Sequence, residues 1–192
     1  MPTGFYRGFD ERDYFLQGSP NATFNENFSR ESASTDLVAS LQTGVVTSVA
    51  CPLIQGDLIT KISYIIGATA VGTPSHSWVA LYTPAGVLMG QSADITSPTA
   101  AANTVITVTL ATAQSIPTSG VYYVSISYTA STVPTLVGKN QGLNATSIAA
   151  VNAAFTAFPV LAQNHGSAVV GVAPATIASP TVQVTIPYVV LT

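Results

Sequence analysis

The distribution of charge is the feature that most limits how this sequence can fold. Nine of its thirteen charged side chains fall within residues 1–36. Residues 37–192 carry only Asp57, Lys61, Asp94 and Lys139. A domain with so few charges must meet water through other polar groups, and the chain contains 25 Thr and 19 Ser. Thr is enriched in strands, and it alternates with Val or Ile in VITVTL and TVQVTI, so the composition favours β-sheets with hydroxyl-bearing faces.

Short segments of alternating apolar and polar residues predict strands throughout this weakly charged region. The predicted strands are 37–41, 45–50, 57–66, 77–82, 87–92, 103–110, 120–129, 167–172 and 181–191. TPAG at 83–86 has the Pro and Gly spacing of a type I turn, so 77–92 reads as a hairpin. Pro187 predicts an edge position or a bulge in the last strand. We therefore expect an all-β protein, an antiparallel, jelly-roll-like β-sandwich.

Within the strand 57–66, alternation predicts that Leu58, Ile62 and Tyr64 face one side together with Thr60 and Ile66. The residues between them would face the other side. We predict a loop at 67–75, before the hairpin. One segment departs from the β pattern, because NATSIAAVNAAF at 144–155 has apolar residues at helical spacing and predicts a short helix. It lies in a long stretch, 130–166, of a kind that is often functional or inter-subunit.

The first 36 residues form a different kind of segment, rich in charges and in aromatic residues that follow no period. Disordered tails usually lack aromatics, so this composition predicts an extended arm that folds onto its own body or onto a neighbouring subunit. We thus divide the chain into an anchoring arm, 1–36, and a sandwich domain, 37–192. The residues expected to bind a partner are Phe5, Tyr6, Arg7, Phe9, Arg12, Tyr14, Phe15, Phe24 and Phe28.

Groups that could support catalysis are scarce in the sandwich domain. The sequence has no nucleophile-elbow motif and no metal-ligand spacing, so we expect no enzyme activity, metal or cofactor. His76 is interpreted as a hydrogen-bonded loop residue and His165 as a turn residue. Asp57 and Asp94 are interpreted as caps of turns. The single cysteine, Cys51, excludes an intrachain disulfide and is interpreted as a small buried apolar residue.

Trp78 and Tyr82 have two alternative interpretations. Together they could form an aromatic platform for a sugar, which would suit recognition of glycans on a host surface. The simpler alternative is that both belong to the sandwich core.

Several classes of partner are disfavoured by composition. The net charge of −3 and the absence of a Lys/Arg cluster argue against nucleic-acid binding. No apolar run is long enough to predict a membrane span. The first residues lack the apolar centre of a signal peptide.

Residues 57–130 resemble a β-sandwich module found in structural proteins of tailed bacteriophages, notably those of actinobacteria. The likeness is carried by ITKISYIIG at 59–67, W-x-A-L-Y-x-x-x-G-x-L at 78–88, QSAD at 91–94 and P-x-x-G-x-Y-Y-V at 117–124. These are mostly turn and core residues, and residues 1–56 and 131–192 lie outside the match.

The resemblance implies a virion component that assembles in the host cytoplasm and contacts other capsid or tail subunits. It carries no catalytic residues over. It also implies a homo-oligomer, for which a trimer is the working hypothesis. We expect a capsid decoration, minor capsid or head-fibre protein, and the alternative is a tail-tip or fibre-head module that binds host glycans. The copy number per particle would distinguish head from tail.

Overall fold

The computed structural model of the chain describes residues 24–33, 35–37, 41–140 and 160–192. The predicted helix at 144–155 lies outside the described residues, as do the predicted partner-binding residues from Phe5 to Phe15. All regular secondary structure in the described part is β-strand, apart from one 3-10 turn at Arg30–Ser32. The expected all-β fold class is therefore confirmed.

The strands of the described residues follow the chain in this order: β1 Asn25–Glu26, β2 Thr35–Leu37, β3 Val46–Leu53, β4 Leu58–Ile65, β5 Gly72–Tyr82, β6 Leu88–Gln91, β7 Val105–Ser115, β8 Gly120–Thr132, β9 Leu136–Asn140, β10 Ala162–His165, β11 Thr181–Val182, β12 Thr185–Pro187 and β13 Val189–Leu191.

Two antiparallel sheets form the sandwich. One has the order β1-β13-β4-β7 and the other has the order β11-β10-β3-β8-β5-β6. A third, small sheet has the order β12-β9-β2. The pairs β3·β8 and β4·β7 are nested in sequence and lie in opposite sheets, so the chain crosses between the layers as it does in a jelly roll.

The two faces of strand β8 show how the layers are organised. Tyr122, Val124 and Ile126 belong to the main core, which also includes the inward residues of the four-stranded sheet. The residues between them point to the outer face, where Tyr123 joins a second, smaller core cluster. The six-stranded sheet is therefore covered on both faces, which explains why its strands carry no charged side chain.

A β-bulge in β4 corrects the predicted facing of that strand. The backbone N–H groups of Thr60 and Lys61 both donate to the carbonyl of Thr192, at 2.7 and 2.8 Å. Two residues thus oppose one, and the alternation changes phase at that point. As a result Ile59 is buried, and Leu58, which we predicted on the core face, is half exposed. Ile62, Tyr64 and Ile66 are buried as predicted.

The hairpin prediction is confirmed. β5 pairs with β6, and the Gly86 N–H donates to the Thr83 carbonyl at 2.9 Å across the turn. Gly86 has a φ of +73°, a conformation that favours glycine. The loop predicted at 67–75 is partly wrong, because β5 already begins at Gly72.

Three further predictions are confirmed, and a fourth is wrong. Asp57 caps a turn as expected, since its Oδ2 accepts the Ile54 N–H at 2.9 Å. Pro187 lies on β12, an edge strand, where its missing N–H costs no ladder bond. Cys51 is buried in the main core.

The strand predicted at 167–172 is wrong, because that segment runs over the outer face of the six-stranded sheet without strand pairing.

Candidate functional site

The end of the N-terminal arm is attached to the body of the same chain. Strand β1 pairs with β13, with Asn25 opposite Leu191. Strand β2 pairs with β9, with Asp36 opposite Val137. The described residues between 24 and 36, which we assigned to the arm, therefore contribute to strands in two different sheets. The arm is thus continuous with the fold at its C-terminal end.

Asn27 fixes this attachment in register. Its side-chain amide donates to the Pro187 carbonyl at 2.8 Å, and its side-chain oxygen accepts the Val189 N–H at 3.0 Å. The Asn27 side chain thus makes the two backbone hydrogen bonds, one donated and one accepted, that a residue of a neighbouring strand would make. The Phe28 ring packs edge-on against Tyr188, with centroids 5.5 Å apart. Phe28, one of the predicted aromatic binding residues, therefore contacts the body of this chain.

The charges near the attachment pair with aromatic groups and with each other. Glu26 accepts a hydrogen bond from the Tyr188 hydroxyl and forms an ion pair with Arg30 at 2.7 Å. Arg30 lies 5.1 Å above the Phe24 ring, and Lys139 lies 4.6 Å above the Phe28 ring. Burial, together with the hydrogen bond to Glu26, raises the pKa of Tyr188. The hydroxyl thus remains a donor at neutral pH.

A second group of residues lies on the outer face of the six-stranded sheet beneath residues 166–180, which we call the strap. Trp78 and Tyr82 are both fully buried there. The Trp78 Nε1–H donates to the Val170 carbonyl at 2.5 Å, and the Tyr82 hydroxyl donates to the Pro174 carbonyl at 2.8 Å. Burial raises the pKa of Tyr82. Neither ring has a face open to a ligand, so the structure supports the core interpretation rather than the glycan platform.

Gln91 holds the next part of the strap. Its side-chain oxygen accepts the Ala173 N–H at 2.7 Å, and its amide approaches the Gly171 carbonyl at 3.4 Å. The strap also pairs locally with the hairpin turn, where the Ile177 N–H donates to the Gly86 carbonyl at 2.8 Å. The strap is thus fixed mainly through its backbone.

His165 immediately precedes the strap and is buried, which corrects its interpretation as a turn residue. It lies in β10, next to β3, and its Nε2 is 2.8 Å from the Ser48 hydroxyl. Ser48 in turn lies 2.5 Å from the Ser125 hydroxyl. The His165 ring stacks edge-on against Tyr82 at 5.7 Å. Burial lowers the pKa of His165 to about 4, so the ring is neutral at physiological pH.

Among the described residues, this Ser–His contact is not accompanied by the other parts of a hydrolytic site. The His165 Nδ1 has no hydrogen-bond partner among the described residues, so no carboxylate orients the ring there. Ser48 is fully buried, so a substrate could not reach its hydroxyl. Sequence reasoning missed this cluster because AQNH at 162–165 has no apolar alternation. Its one available signal was the serines in the otherwise apolar strands β3 and β8.

His76 and Asp94 form a separate pair at the edge of the same face. The His76 Nδ1 lies 2.6 Å from Asp94 Oδ2. His76 is hydrogen-bonded as predicted, although it lies in β5 and not in a loop. Asp94, interpreted as a turn cap, is the partner of His76. A Cβ at Gly171 would lie 2.4 Å from Asp94 Oδ2, so a larger residue there would have to displace the Asp94 side chain.

Among the described residues, no group of three His, Cys, Asp or Glu side chains could hold a metal ion. Nor does the described part of the chain contain a helix with the length and apolarity needed to cross a bilayer. Comparison with models of known protein families gives no match, and comparison with curated proteins gives none either. The fold itself defines the class: the protein is an all-β antiparallel sandwich.

Proposed function

We propose that the protein is a structural component of the virion of a tailed bacteriophage, a capsid decoration, minor capsid or head-fibre protein. Its N-terminal segment anchors it to a neighbouring subunit. The observation that supports this proposal is the attachment of β1 to β13, which fixes the position of Asn25 and Glu26, the first described strand after the leading segment, at a sheet edge. A segment that starts from a fixed point at a sheet edge is suited to reach a neighbour.

The composition of that leading segment supports an anchoring role. Residues 1–23 contain both cations and acids among their aromatics, whereas the described strands of the body are nearly free of charge. Aromatic residues and Arg are enriched at protein interfaces, and they account for much of the energy of binding. An uncharged sandwich coated with hydroxyl groups, joined to such a segment, fits a subunit of a large assembly.

Incorporation into particles tests the anchoring role. A variant that lacks residues 2–23 keeps β1, Asn27 and Phe28, so its body should fold as in the full chain. We expect assembled particles to lose this variant while they retain the full-length protein. A control with the sequence of residues 2–23 scrambled separates the loss of specific contacts from the loss of length.

Two results would count against the proposal. If the truncated variant enters particles as well as the full-length chain does, the leading segment is not the anchor. If the full-length protein is absent from purified particles, the virion role itself is wrong. Where the protein is present, its copy number relative to the major shell subunit would place it on the shell or on the tail.

A further inference from the structure

The two histidines of the chain both lie close to the strap. His165 directly precedes the strap and pairs with Val46 of β3. Directly opposite residues of paired strands share a face of the sheet, so the His165 side chain lies on the outer face with Val46. His76 lies at the edge of that face, where Gly171 of the strap packs against its partner Asp94.

The strap folds back over the position next to His165. Gly166, its first residue, has a φ of +72°. A Cβ on Gly166 would lie 2.8 Å from the Val169 side chain and 3.7 Å from the Pro174 ring. Val169 also packs against the core cluster that contains Val46. Only 3% of His165 is exposed as a result.

The surroundings of the His165 ring suit its neutral form. Its Nε2 lies 2.8 Å from the Ser48 hydroxyl, whereas its buried Nδ1 has no hydrogen-bond partner among the described residues. A protonated imidazole carries an N–H on both nitrogens. The second N–H would therefore be buried without an acceptor, which is costly for a charged group.

No acidic side chain is placed to compensate a charge on the ring. The sequence has no charged residue after Lys139, and strands β3, β5 and β8 contain no Asp or Glu. The titratable groups that β5 and β8 place on the covered part of the outer face are Tyr82 and Tyr123. Burial raises the pKa of both tyrosines, so both are neutral. Asp94, at the edge of the face, is already bonded to His76.

We propose that the strap is an acid-responsive cover: protonation of His165 releases it from the outer face and uncovers the aromatic side chains beneath, while the sandwich stays folded. Movement of the strap admits water to the charged ring, which removes the cost of burying it. The strap is the element that can yield, because side chains such as Tyr82 and Gln91 hold it in place of a strand ladder. The inference does not depend on the virion role.

The contact near Gly171 should persist in acid. His76 Nδ1 lies 2.6 Å from Asp94 Oδ2, and protonation of His76 turns this contact into an attraction between opposite charges. Acid therefore strengthens the pair against which Gly171 packs. We expect the release to begin where Pro174 lies over Tyr82.

Hydrogen exchange of single amides, followed by NMR at pH 7 and pH 5, tests the proposal. The Ala173 N–H, bonded to Gln91 at 2.7 Å, reports on the strap, and the Val124 N–H of β8 reports on the sandwich. Burial lowers the pKa of His165 from 6.5 to about 4 while the strap covers it. The protection factor of Ala173, corrected for the intrinsic exchange rate, should therefore fall about 30-fold from pH 7 to pH 5. It should be lower than that of Val124 at both pH values.

Two variants assign the decrease to a particular histidine. In His165→Gln the protection factor of Ala173 should be nearly the same at pH 7 and pH 5. His76→Gln is the matched control and should keep the decrease of about 30-fold. The comparison of Ala173 with Val124 in the unmodified chain needs no variant, so it stands even if His165→Gln fails to fold.

Three results would overturn the proposal. Equal protection of Ala173 and Val124 at pH 5 would mean that the strap opens only when the whole domain unfolds. The same protection of Ala173 at pH 7 and pH 5 would mean that acid does not release the strap. A full decrease in His165→Gln would mean that another group is responsible. Incorporation into particles is a separate measurement, so these results leave the proposed anchoring role untouched.

Discussion

His165 should make the stability of the protein fall as the pH is lowered from about 6.5 to about 4. The ring is neutral and buried against Ser48 and Tyr82, and burial lowers its pKa from 6.5 to about 4 in the folded chain. Between these two pH values the unfolded chain binds a proton at His165 and the folded chain does not. Stability therefore rises with pH across this window and is fully present above it.

The change in the pKa of His165 on folding sets the size of this loss of stability. A pKa difference of one unit corresponds to about 1.4 kcal/mol, so the full shift corresponds to about 3 kcal/mol. About 2 kcal/mol of this should already be lost at pH 5, and the loss from this group should level off below pH 4. A loss of this size is a large fraction of the 5–15 kcal/mol that typically stabilises a domain.

Urea unfolding of the full-length chain at a series of pH values measures this dependence. His165→Gln keeps a polar group near Ser48 but does not titrate, so its free energy of unfolding should vary less with pH by about the amount given. His76→Gln is the matched control, because His76 is the chain's other histidine and lies partly exposed. The contribution of His165 should persist in that variant. If His165→Gln shows the same pH profile as the unmodified chain, the buried neutral state of His165 is refuted.

Two further predictions concern the strap and the arm. Trp78→Ala should lower the free energy of unfolding by ~3–5 kcal/mol, as measured in urea, because the side chain is fully buried and bonded to Val170; a loss below ~1 kcal/mol would mean that the strap does not pack on it. Tyr188→Phe removes the hydrogen bond to Glu26 and should cost ~1 kcal/mol. It should also speed hydrogen exchange in residues 24–33 relative to β8, and equal exchange rates in variant and parent would contradict this role.

The general architecture was predictable from the sequence because alternation reports which residues are half-buried. The hairpin at 77–92 and the strand at 120–129 follow directly from that pattern. The facing of Leu58 was not predictable, since a bulge depends on a partner strand that is distant in sequence. The bulge at Thr60 forms opposite Thr192, and the sequence around Thr60 contains no signal that predicts it.

The strand predicted at 167–172, within the strap, was wrong for a different reason. SAVVGV at 167–172 has the composition of a strand but pairs with none, because the outer face of the sheet offers side-chain donors in place of a strand edge. The buried His165 was missed for a related reason. Its neighbours Ser48 and Ser125 come from strands far away in the sequence, and a buried polar cluster leaves no periodic signal.

The strap is held through its backbone, so its exposed side chains should tolerate substitution. Its bonds to Trp78, Tyr82 and Gln91 all use main-chain atoms of the strap, while Val170 and Val172 project into solvent. Because these hydrogen bonds use only backbone atoms of the strap, they do not depend on which side chains the strap carries. Apart from Gly171, the exposed residues of the strap can therefore be substituted, or a short peptide inserted among them, without breaking these backbone hydrogen bonds. The exposed positions of the strap are therefore a suitable place to insert a foreign epitope.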